Sequence, residues 1–232
     1  MTARAPALSI VVPALNEAPE IAATLDGLQP LRARGAELLL VDGGSTDGTP
    51  ALAAPRVDVL LTAAPGRARQ MNAGAEAAAG QVLLFLHADT RLPPDADRLV
   101  LQGLQTSGRG WGRFDVRLSG ARLGLRLVER GISWRSRLTG VASGDQAIFV
   151  RRDWFRRAGG FPDIPLMEDV ALSRALKRLG PPLCLRPPVV TSSRRWEQHG
   201  LLRTVLLMWR LRLAYYLGAS PERLAAAYRR SG

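Results

Sequence analysis

Carboxylates and a histidine directly follow short apolar runs at three places in the N-terminal half of the chain. "VVPALNE" ends with Asn16 and Glu17, "LLLVDGGSTDGT" brings Asp42, and "VLLFLHADT" brings His87 and Asp89. Mg²⁺ and Mn²⁺ prefer carboxylate oxygens and commonly bridge a protein to substrate phosphates. Acids grouped in this way could therefore hold a metal ion and a phosphorylated ligand. The alternative is that each is a polar turn closing a buried strand.

The elements around these residues predict an α/β fold. Short apolar runs alternate with helical patterns, which is typical of βαβ units and a mostly parallel sheet flanked by helices. The predicted strands cover residues 8–12, 37–41, 57–61 and 81–86. The carboxyl ends of parallel strands share one edge, and ligands bind in the crevice there. We therefore expect Glu17, Asp42 and Asp89 to converge on one rim.

The second half of the chain is less regular. "WGRFDVRL" and "QAIFVRR" predict strands, whereas "ARLGLRLVERGISWRSRL" and "EDVALSRALKRLG" predict helices. We predict one domain over residues 1–200 and an amphipathic helical tail over residues 201–232 that packs on it or beside it. In the tail, Arg203 and Arg210 fall on one helical face. A core-packing helix is the favoured interpretation. The alternative is a helix lying on an anionic membrane surface, with Trp209, Tyr215 and Tyr216 at the interface.

Composition limits the class of partner. The 232 residues carry 32 Lys and Arg against 20 Asp and Glu, a net charge of +12, and Lys177 is the only lysine. So basic a surface favours anionic partners: nucleotides, phosphates, acidic lipid headgroups or nucleic acid. The arginines are spread along the whole chain with no recognised nucleic-acid motif, so we expect no nucleic-acid partner.

Cysteine usage and apolar run lengths predict a location. Cys184 is the only cysteine, so no internal disulfide can form. The apolar runs are too short for a signal-peptide core or a membrane-spanning helix. We predict a cytoplasmic protein, with peripheral attachment to the inner face of the cell membrane as the further option.

Two loops could approach a phosphate. In "DGGSTDGT", Gly43 and Gly44 allow the main chain to come close to a ligand; the alternative is a plain turn with a helix N-cap at Ser45 or Thr46. "GRARQMNAG" places Arg67 at a helix start, where a cation is unfavourable unless an anion binds there. We predict a pyrophosphate or base contact at this arginine.

Together, six segments resemble the family 2 glycosyltransferases with a GT-A fold, in the order expected for that family. They are "VVPALNE", "DGGSTDGT", "GRARQMNAG", "FLHADT", "GDQAIFVRR" and "GGFPDIPLMEDVALSRALKRLG". Within the family, the chain resembles the short bacterial branch described as selenodomain-associated or arsenosugar-biosynthesis glycosyltransferases. Carotenoid-type glycosyltransferases, whose acceptors are apolar, are the alternative.

The resemblance implies a nucleotide-sugar donor, UDP- or GDP-linked, with a divalent metal ion, Mn²⁺ or Mg²⁺. Asp89 matches the last acid of the family's metal-binding D-x-D motif, and His199 is a second candidate metal ligand, with a surface histidine as the alternative. His87 replaces the first acid of that motif and is a candidate donor contact; a histidine packed in the core is the alternative. Arg67 would lie near the base or diphosphate. The remaining candidate donor contacts are Pro13, Ala14, Asn16, Glu17 and Asp42.

Asp169 in "MED" matches the family's catalytic base, and Glu168 supports it. A carboxylate that takes the proton of an acceptor hydroxyl typically contributes about 10²–10⁴-fold to the rate. The alternative is that both acids merely favour the first turn of a helix. Asp145, Gln146 and Trp196 are candidate contacts for a small-molecule or lipid-like acceptor, with a plain turn as the alternative at the first two.

The course of the reaction is also implied by the resemblance. Attack from the face opposite the leaving group predicts inversion at the anomeric carbon. "SSRRW" lacks the glutamine of the Q-x-x-R-W element of processive members, which predicts single transfers. A nucleotidyltransferase is the alternative enzyme class, but it usually has a Gly-rich loop with Arg and Lys after its first strand, and "PALNEAPE" has neither.

Overall fold

A computed structural model describes residues 5–230. The described residues form eight strands and ten α-helices. The strands are β1 Leu8–Ala14, β2 Glu37–Asp42, β3 Val59–Thr62, β4 Val82–Phe85, β5 Thr90–Arg91, β6 Trp111–Leu118, β7 Phe149–Arg151 and β8 Leu183–Thr191. The helices are α1 Ala18–Ala33, α2 Thr49–Ala53, α3 Arg67–Ala77, α4 Ala96–Ser107, α5 Leu123–Thr139, α6 Arg152–Ala158, α7 Glu168–Leu179, α8 Arg194–His199, α9 Leu201–Tyr216 and α10 Pro221–Arg230.

All eight strands belong to one mixed sheet in the order β3-β2-β1-β4-β7-β6-β8-β5. Strands β1, β2, β3 and β4 pair in parallel, as do β6 and β8. Strand β7 is antiparallel to both β4 and β6, and β5 is antiparallel to β8. The predicted α/β class with a central sheet flanked by helices is confirmed.

The sheet is covered on both faces because the strand sequences are apolar at successive positions. In β1, Ile10 and Val12 point into a core with Leu25 of α1, whereas Val11 points into a second core with Met71 of α3. All these side chains are almost fully buried. The β3-β2-β1-β4 half is therefore a rigid parallel platform whose strand ends share one edge.

The C-terminal helices pack on this body through a third cluster. Leu211 of α9 and Leu224 of α10 are buried together with Val141, Met167 and Val170. The contact with Met167 and Val170 places the tail next to the start of α7. The division at residue 200 stays a prediction, and residues 1–4 and 231–232 of the two predicted units lie outside the described residues. None of the helices described is both long and apolar enough to cross a bilayer.

Most predicted elements are present with shifted ends. The predicted strands at 8–12, 37–41, 57–61 and 81–86 correspond to β1–β4. Strand β8 lies outside the predicted strands, and its Pro187 and Pro188 are unusual residues within a sheet. The structure tolerates them at a register irregularity, where Phe114 pairs with Leu185 but Asp115 pairs with Pro188.

Candidate active site

The loops after β1 and β2 are tied to each other by side-chain hydrogen bonds. Asn16, which has a φ of 56°, accepts the Thr46 N–H on its Oδ1 at 2.9 Å. Its own N–H donates to Ser45 Oγ at 2.8 Å, and the Glu17 N–H donates to Thr49 Oγ1 at 2.9 Å. The Asn16 side chain therefore fixes the shape of the rim.

A helix N-cap at Ser45 or Thr46, the alternative considered for "DGGSTDGT", is wrong. Helix α2 begins at Thr49. The Thr49 N–H donates to Asp47 Oδ1 at 3.0 Å, and the Thr49 hydroxyl donates to the same oxygen at 2.6 Å. These bonds hold the pKa of Asp47 below its usual range, the hydroxyl of Thr49 being the largest cause.

Asp42 is buried at the end of β2, and one of its carboxylate oxygens is unpaired. Its Oδ2 accepts the N–H groups of Gly44 at 2.9 Å and Ser45 at 3.0 Å. Its Oδ1 is buried and has no hydrogen-bond partner among the described residues. A buried acceptor without a donor is costly, so this oxygen suits a donor group of a ligand.

Pro13 and Ala14 form the buried end of β1, the strand next to Asp42. Ala14 pairs in register with Asp42. Gln70 of α3 donates its side-chain N–H to Ala14 O at 2.7 Å and to Val41 O at 2.8 Å. These two strand-end carbonyls are thereby satisfied without water.

Glu17 and Asp89 lie close enough to repel each other. The pKa of Glu17 is raised, first by burial and then by the negative charge of Asp89, with Arg194, Arg67 and His87 acting in the opposite direction. The two acids lie in the segments that follow the adjacent parallel strands β1 and β4. Asp42 ends β2, which pairs with β1 on its other side. The convergence of all three acids on one crevice stays a prediction.

His87 lies against the segment that precedes β7. Its Nδ1 is 3.4 Å from Asp145 Oδ1, and its side chain is 16% exposed. The ring covers Gly144 so closely that a Cβ on that residue would lie 2.4 Å from His87 Nε2. Burial alone would raise the pKa of Asp145, but His87 and then Arg67 and Arg212 outweigh this effect and lower it.

Asp169 is held at the start of α7 facing His87. Its Oδ2 accepts the Gly144 N–H at 2.7 Å, and its Oδ1 accepts the Val170 N–H at 2.7 Å. His87, Gly144, Glu168 and Asp169 line one small cavity, whose other walls are Met71, Phe85, Ile148 and Phe161. The two N–H bonds fix the orientation of the Asp169 carboxylate.

Glu168 is buried and paired with Arg67. Its Oε1 is 3.4 Å from Arg67 Nη1, and its side chain is 4% exposed. Burial and then the neighbouring Asp169 raise the pKa of Glu168, although Arg67 opposes this. The pKa of Arg67 is raised because Glu168, Asp145 and Asp169 together outweigh its burial.

Two further arginines lie near these acids. Arg135 of α5 donates from Nη1 to Val141 O at 3.1 Å, and its Nη2 is buried with no hydrogen-bond partner among the described residues. Burial and then the charge of Arg212 lower the pKa of Arg135 to about 10, while Asp169 raises it. The cleft thus combines carboxylates with cations that could neutralise an anionic group.

The two candidate metal ligands border one open cleft. Asp89 and His199 line a cleft of about 320 Å³ together with Ser192, Arg194 and Gln198. Within residues 5–230, no group of three or more His, Cys, Asp or Glu side chains is arranged to hold a metal ion. A carboxylate oxygen and an imidazole nitrogen are suitable ligands, and a cation would relieve the repulsion between Glu17 and Asp89. The residues present therefore fit a divalent ion whose other ligands come from a bound substrate or water.

The two remaining candidate acceptor contacts, Gln146 and Trp196, differ in burial. Gln146 is fully buried, and its Nε2 donates to Ser136 Oγ at 3.0 Å and to Phe114 O at 3.3 Å. These contacts leave Gln146 as a support of the loop that carries Asp145. Trp196 is half-buried on α8.

Sequence reasoning missed Gly144 and Met167. Gly144 contacts His87 and donates to Asp169; its place directly before Asp145 was the only signal. Met167 adopts a φ of 72°, a strained conformation for a residue with a side chain, and it turns the chain so that α7 begins at Glu168. No pattern in the sequence indicates that conformation.

The described residues form an α/β fold with a mixed sheet, and acidic residues lie at or after the carboxyl ends of β1, β2 and β4. The glycosyl transferase family 2 profile matches residues 9–145, more than half of the chain. The chain belongs to this family.

Two curated relatives are a "PGL/p-HBAD biosynthesis glycosyltransferase" of Mycobacterium bovis and one of Mycobacterium tuberculosis. Each is 41% identical to this chain over 103 residues, which is 41% of this chain and 40% of the relative. The match thus spans less than half the length of these curated relatives.

Solved structures share the fold. The mannosyltransferase PcManGT from Pyrobaculum calidifontis, in complex with GDP-Man and Mn²⁺, has a TM-score of 0.67 and 22% identity over 97% of this chain and 70% of that chain. Glucosyl-3-phosphoglycerate synthase from Mycobacterium tuberculosis, with Mn²⁺ and UDP, has a TM-score of 0.63 and 22% identity over 93% of this chain and 80% of that chain. S. aureus TarS has a TM-score of 0.66 and 16% identity over 86% of this chain and 65% of that chain. At these identities the likeness shows the GT-A-like fold alone.

Proposed function

We propose that this chain is an inverting, metal-assisted glycosyltransferase that moves one sugar at a time from a nucleotide-sugar to an acceptor hydroxyl. The observation that carries the proposal is the shared cavity of His87, Glu168 and Asp169 beside the paired acids Glu17 and Asp89. This arrangement brings the candidate base, Asp169, near the acids Glu17 and Asp89, which suit the cation of a bound diphosphate. Family membership supports the reaction class.

The donor would bind along the ends of β1 and β2. The unpaired Oδ1 of Asp42 would accept a hydrogen bond from an N–H or hydroxyl of the nucleoside, with Pro13 and Ala14 at the end of the neighbouring strand. Asn16 shapes the rim, and Glu17 faces the diphosphate region. UDP and GDP are the nucleotides proposed, since structural neighbours were solved with each.

Asp89 and His199 would hold the Mn²⁺ or Mg²⁺ ion. When bound, such an ion offsets the negative charge that develops on the leaving diphosphate. Arg67 and Arg194 lie close enough to Glu17 to lower its pKa. They would therefore help to neutralise the negative charge on the leaving diphosphate. His87, a candidate donor contact, would lie between the donor and the acceptor, because its ring contacts Asp145, a candidate acceptor contact.

Asp169 would take the proton of the acceptor hydroxyl as that oxygen attacks the anomeric carbon. Its carboxylate is oriented by the Gly144 and Val170 N–H groups, so it does not have to reorganise during the transfer. Attack from the side opposite the leaving diphosphate gives inversion. Glu168, paired with Arg67, supports the site from its buried position.

The acceptor would be a small or lipid-like molecule that meets Asp145 and Trp196. We do not retain Gln146 as an acceptor contact, because its amide is bonded within the core. "SSRRW" without the glutamine of processive enzymes supports single transfers. Placement in the selenodomain-associated or arsenosugar branch and a cytoplasmic location, with attachment to the inner membrane face, remain parts of this proposal.

A product analysis tests the proposed reaction. Purified protein is supplied with Mn²⁺ and radiolabelled UDP- and GDP-sugars, with a pool of candidate acceptors. Release of nucleoside diphosphate with a glycoside of inverted anomeric configuration is expected. In a parallel reaction with nucleoside triphosphates, release of pyrophosphate would indicate the nucleotidyltransferase alternative instead. In a separate binding assay, tight and salt-sensitive binding of RNA or DNA would indicate a nucleic-acid-binding protein.

A further inference from the structure

Two neighbouring helices expose large apolar side chains on one side. On α9 they recur every three to four residues, so they form one stripe along the helix. Their exposed fractions run from 50% to 86%. We call this set the α5–α9 surface, and it consists of Leu123, Leu127, Trp134, Leu138, Leu202, Leu206, Trp209, Leu213, Tyr216 and Leu217. Exposed apolar patches formed by so many side chains mark interaction sites in soluble proteins.

Helix α9 is apolar on both sides. Its inner side buries Leu211 in the cluster with Met167 and Leu224. This side of the helix therefore packs in a core cluster. The outer stripe, with Leu206 and Trp209, stays exposed.

Helices α5 and α9 lie side by side and run in the same direction. A Cβ on Gly124 would lie 2.8 Å from Leu201 Cδ2, so the helices touch near their starts. Near the other ends, Val141, two residues past α5, is buried in the same cluster as Leu211 of α9. At 3.6 residues per turn, the exposed stripe of each helix lies about a quarter turn away from the residues that face the other helix. Because the helices run in the same direction, both stripes face the same side. The two stripes therefore form one surface.

Positive charge borders the apolar stripes. Arg203 and Arg210 lie along one edge of the α9 stripe, Arg212 lies along the other, and Arg130 is exposed on α5. Residues 122–139 and 201–216 carry eight arginines and one acid, Glu129. That acid is buried, and its carboxylate accepts the Leu118 N–H. The surface offers no exposed negative charge within these two segments.

We propose that the α5–α9 surface docks on an anionic lipid bilayer. The leucines and Trp209 would enter the headgroup boundary, while the arginines at the edges extend toward lipid phosphates. A second copy of the same surface would bring like charges together, which disfavours self-association. Docking does not depend on the proposed reaction, since it uses neither donor nor acceptor.

Vesicle flotation of the full chain tests this proposal. The probes are vesicles of phosphatidylcholine alone and vesicles that also contain phosphatidylglycerol. The triple variant Leu206→Ser/Trp209→Ser/Leu213→Ser should bind anionic vesicles at least about tenfold more weakly. In Arg203→Gln/Arg210→Gln, the affinity for anionic vesicles should fall about fivefold for each arginine removed, and vesicle binding should depend less on salt.

A matched control removes apolar groups elsewhere. Leu52 and Leu60, each 38% exposed, lie on α2 and β3, and Leu52→Ser/Leu60→Ser should keep vesicle binding within about twofold. Circular dichroism and the nucleotide-induced thermal shift verify that every variant keeps its fold and donor site. Failure of the wild type to float with anionic vesicles would overturn the proposal. So would equal binding to neutral vesicles, or a wild-type dimer that the triple variant converts to a monomer without any vesicle binding.

Discussion

Gly144→Ala should lower the free energy of unfolding when His87 is present and raise it in the His87→Ala background. Gly144 lies in the 3-10 turn Gly144–Gln146 and does not take a positive φ, so its backbone accepts alanine. The obstacle is the imidazole of His87: an added Cβ would lie 2.4 Å from Nε2 and 2.5 Å from Cε1. The ring must move, and it then loses its contact with Asp145.

The magnitude follows from two opposing effects. Alanine at a compatible glycine position stabilises by about 0.4–1 kcal/mol, because it restricts the unfolded chain. Overpacking a tight site costs about 1–3 kcal/mol. Gly144→Ala should therefore lower the free energy of unfolding by about 1–2 kcal/mol in the presence of His87. With His87→Ala as the background, the same substitution should raise it by up to about 1 kcal/mol.

Urea denaturation of the four proteins, wild type, both single variants and the double variant, measures this coupling. The expected interaction energy is about 1–3 kcal/mol, well above the roughly 0.5 kcal/mol seen between independent sites. Equal effects of Gly144→Ala in both backgrounds would show that His87 does not rest on Gly144. The proposed arrangement of the cavity would then be refuted.

Three further outcomes are expected. Asp169→Asn should retain donor binding by calorimetry but lower the turnover number by about 10²–10⁴-fold, and unchanged turnover would remove Asp169 as the base. Gly74→Ala places a Cβ 2.3 Å from Val11 Cγ1 and should lower the free energy of unfolding in urea by about 1–3 kcal/mol. Gly27→Ala, whose Cβ would have nothing within 4 Å, should raise it by up to about 1 kcal/mol. Similar effects at both positions would contradict the packing described. Asp97, bonded to Arg34 at 2.8 Å through both oxygens, has a lowered pKa, first because of that hydrogen bond. Its contribution is therefore present above the ordinary Asp pKa of about 3.9 and is lost as pH falls through the lowered value. The destabilisation by Asp97→Asn should accordingly be largest near neutral pH and fade in acid, and a pH-independent difference would count against the ion pair.

The half of the fold that carries the donor side could be predicted because its strands repeat one simple pattern. Apolar runs such as "LLLV" are buried on both faces, and a polar residue follows each one at the same edge. Parallel pairing then brings Glu17, Asp42 and Asp89 to one rim without any knowledge of side-chain contacts. Residue order alone was sufficient for this part.

The acceptor side depended on contacts that a linear pattern does not contain. Gln146 looks like a site residue beside Asp145, but the turn directs it into the core, where Ser136 and Phe114 satisfy its amide. The positive φ of Met167 and the proximity of Arg135 to Arg212 arise from the packing of α5, α7 and α9. The exposed outer stripe of α9 could not be told from a core-facing one, because both sides of that helix are apolar.

Nucleotide-dependent thermal unfolding is the most direct test of the central claim, that acids on one rim hold a nucleoside diphosphate with its divalent ion. UDP or GDP at about 100-fold over its dissociation constant should stabilise the protein by about 2.7 kcal/mol, a rise in Tm of roughly 5–10 °C, and Mn²⁺ should be required for the full shift. Asp89→Ala should abolish the Mn²⁺ dependence while keeping the unliganded Tm. Absence of any shift with UDP and GDP, or full Mn²⁺ dependence in Asp89→Ala, would contradict the account.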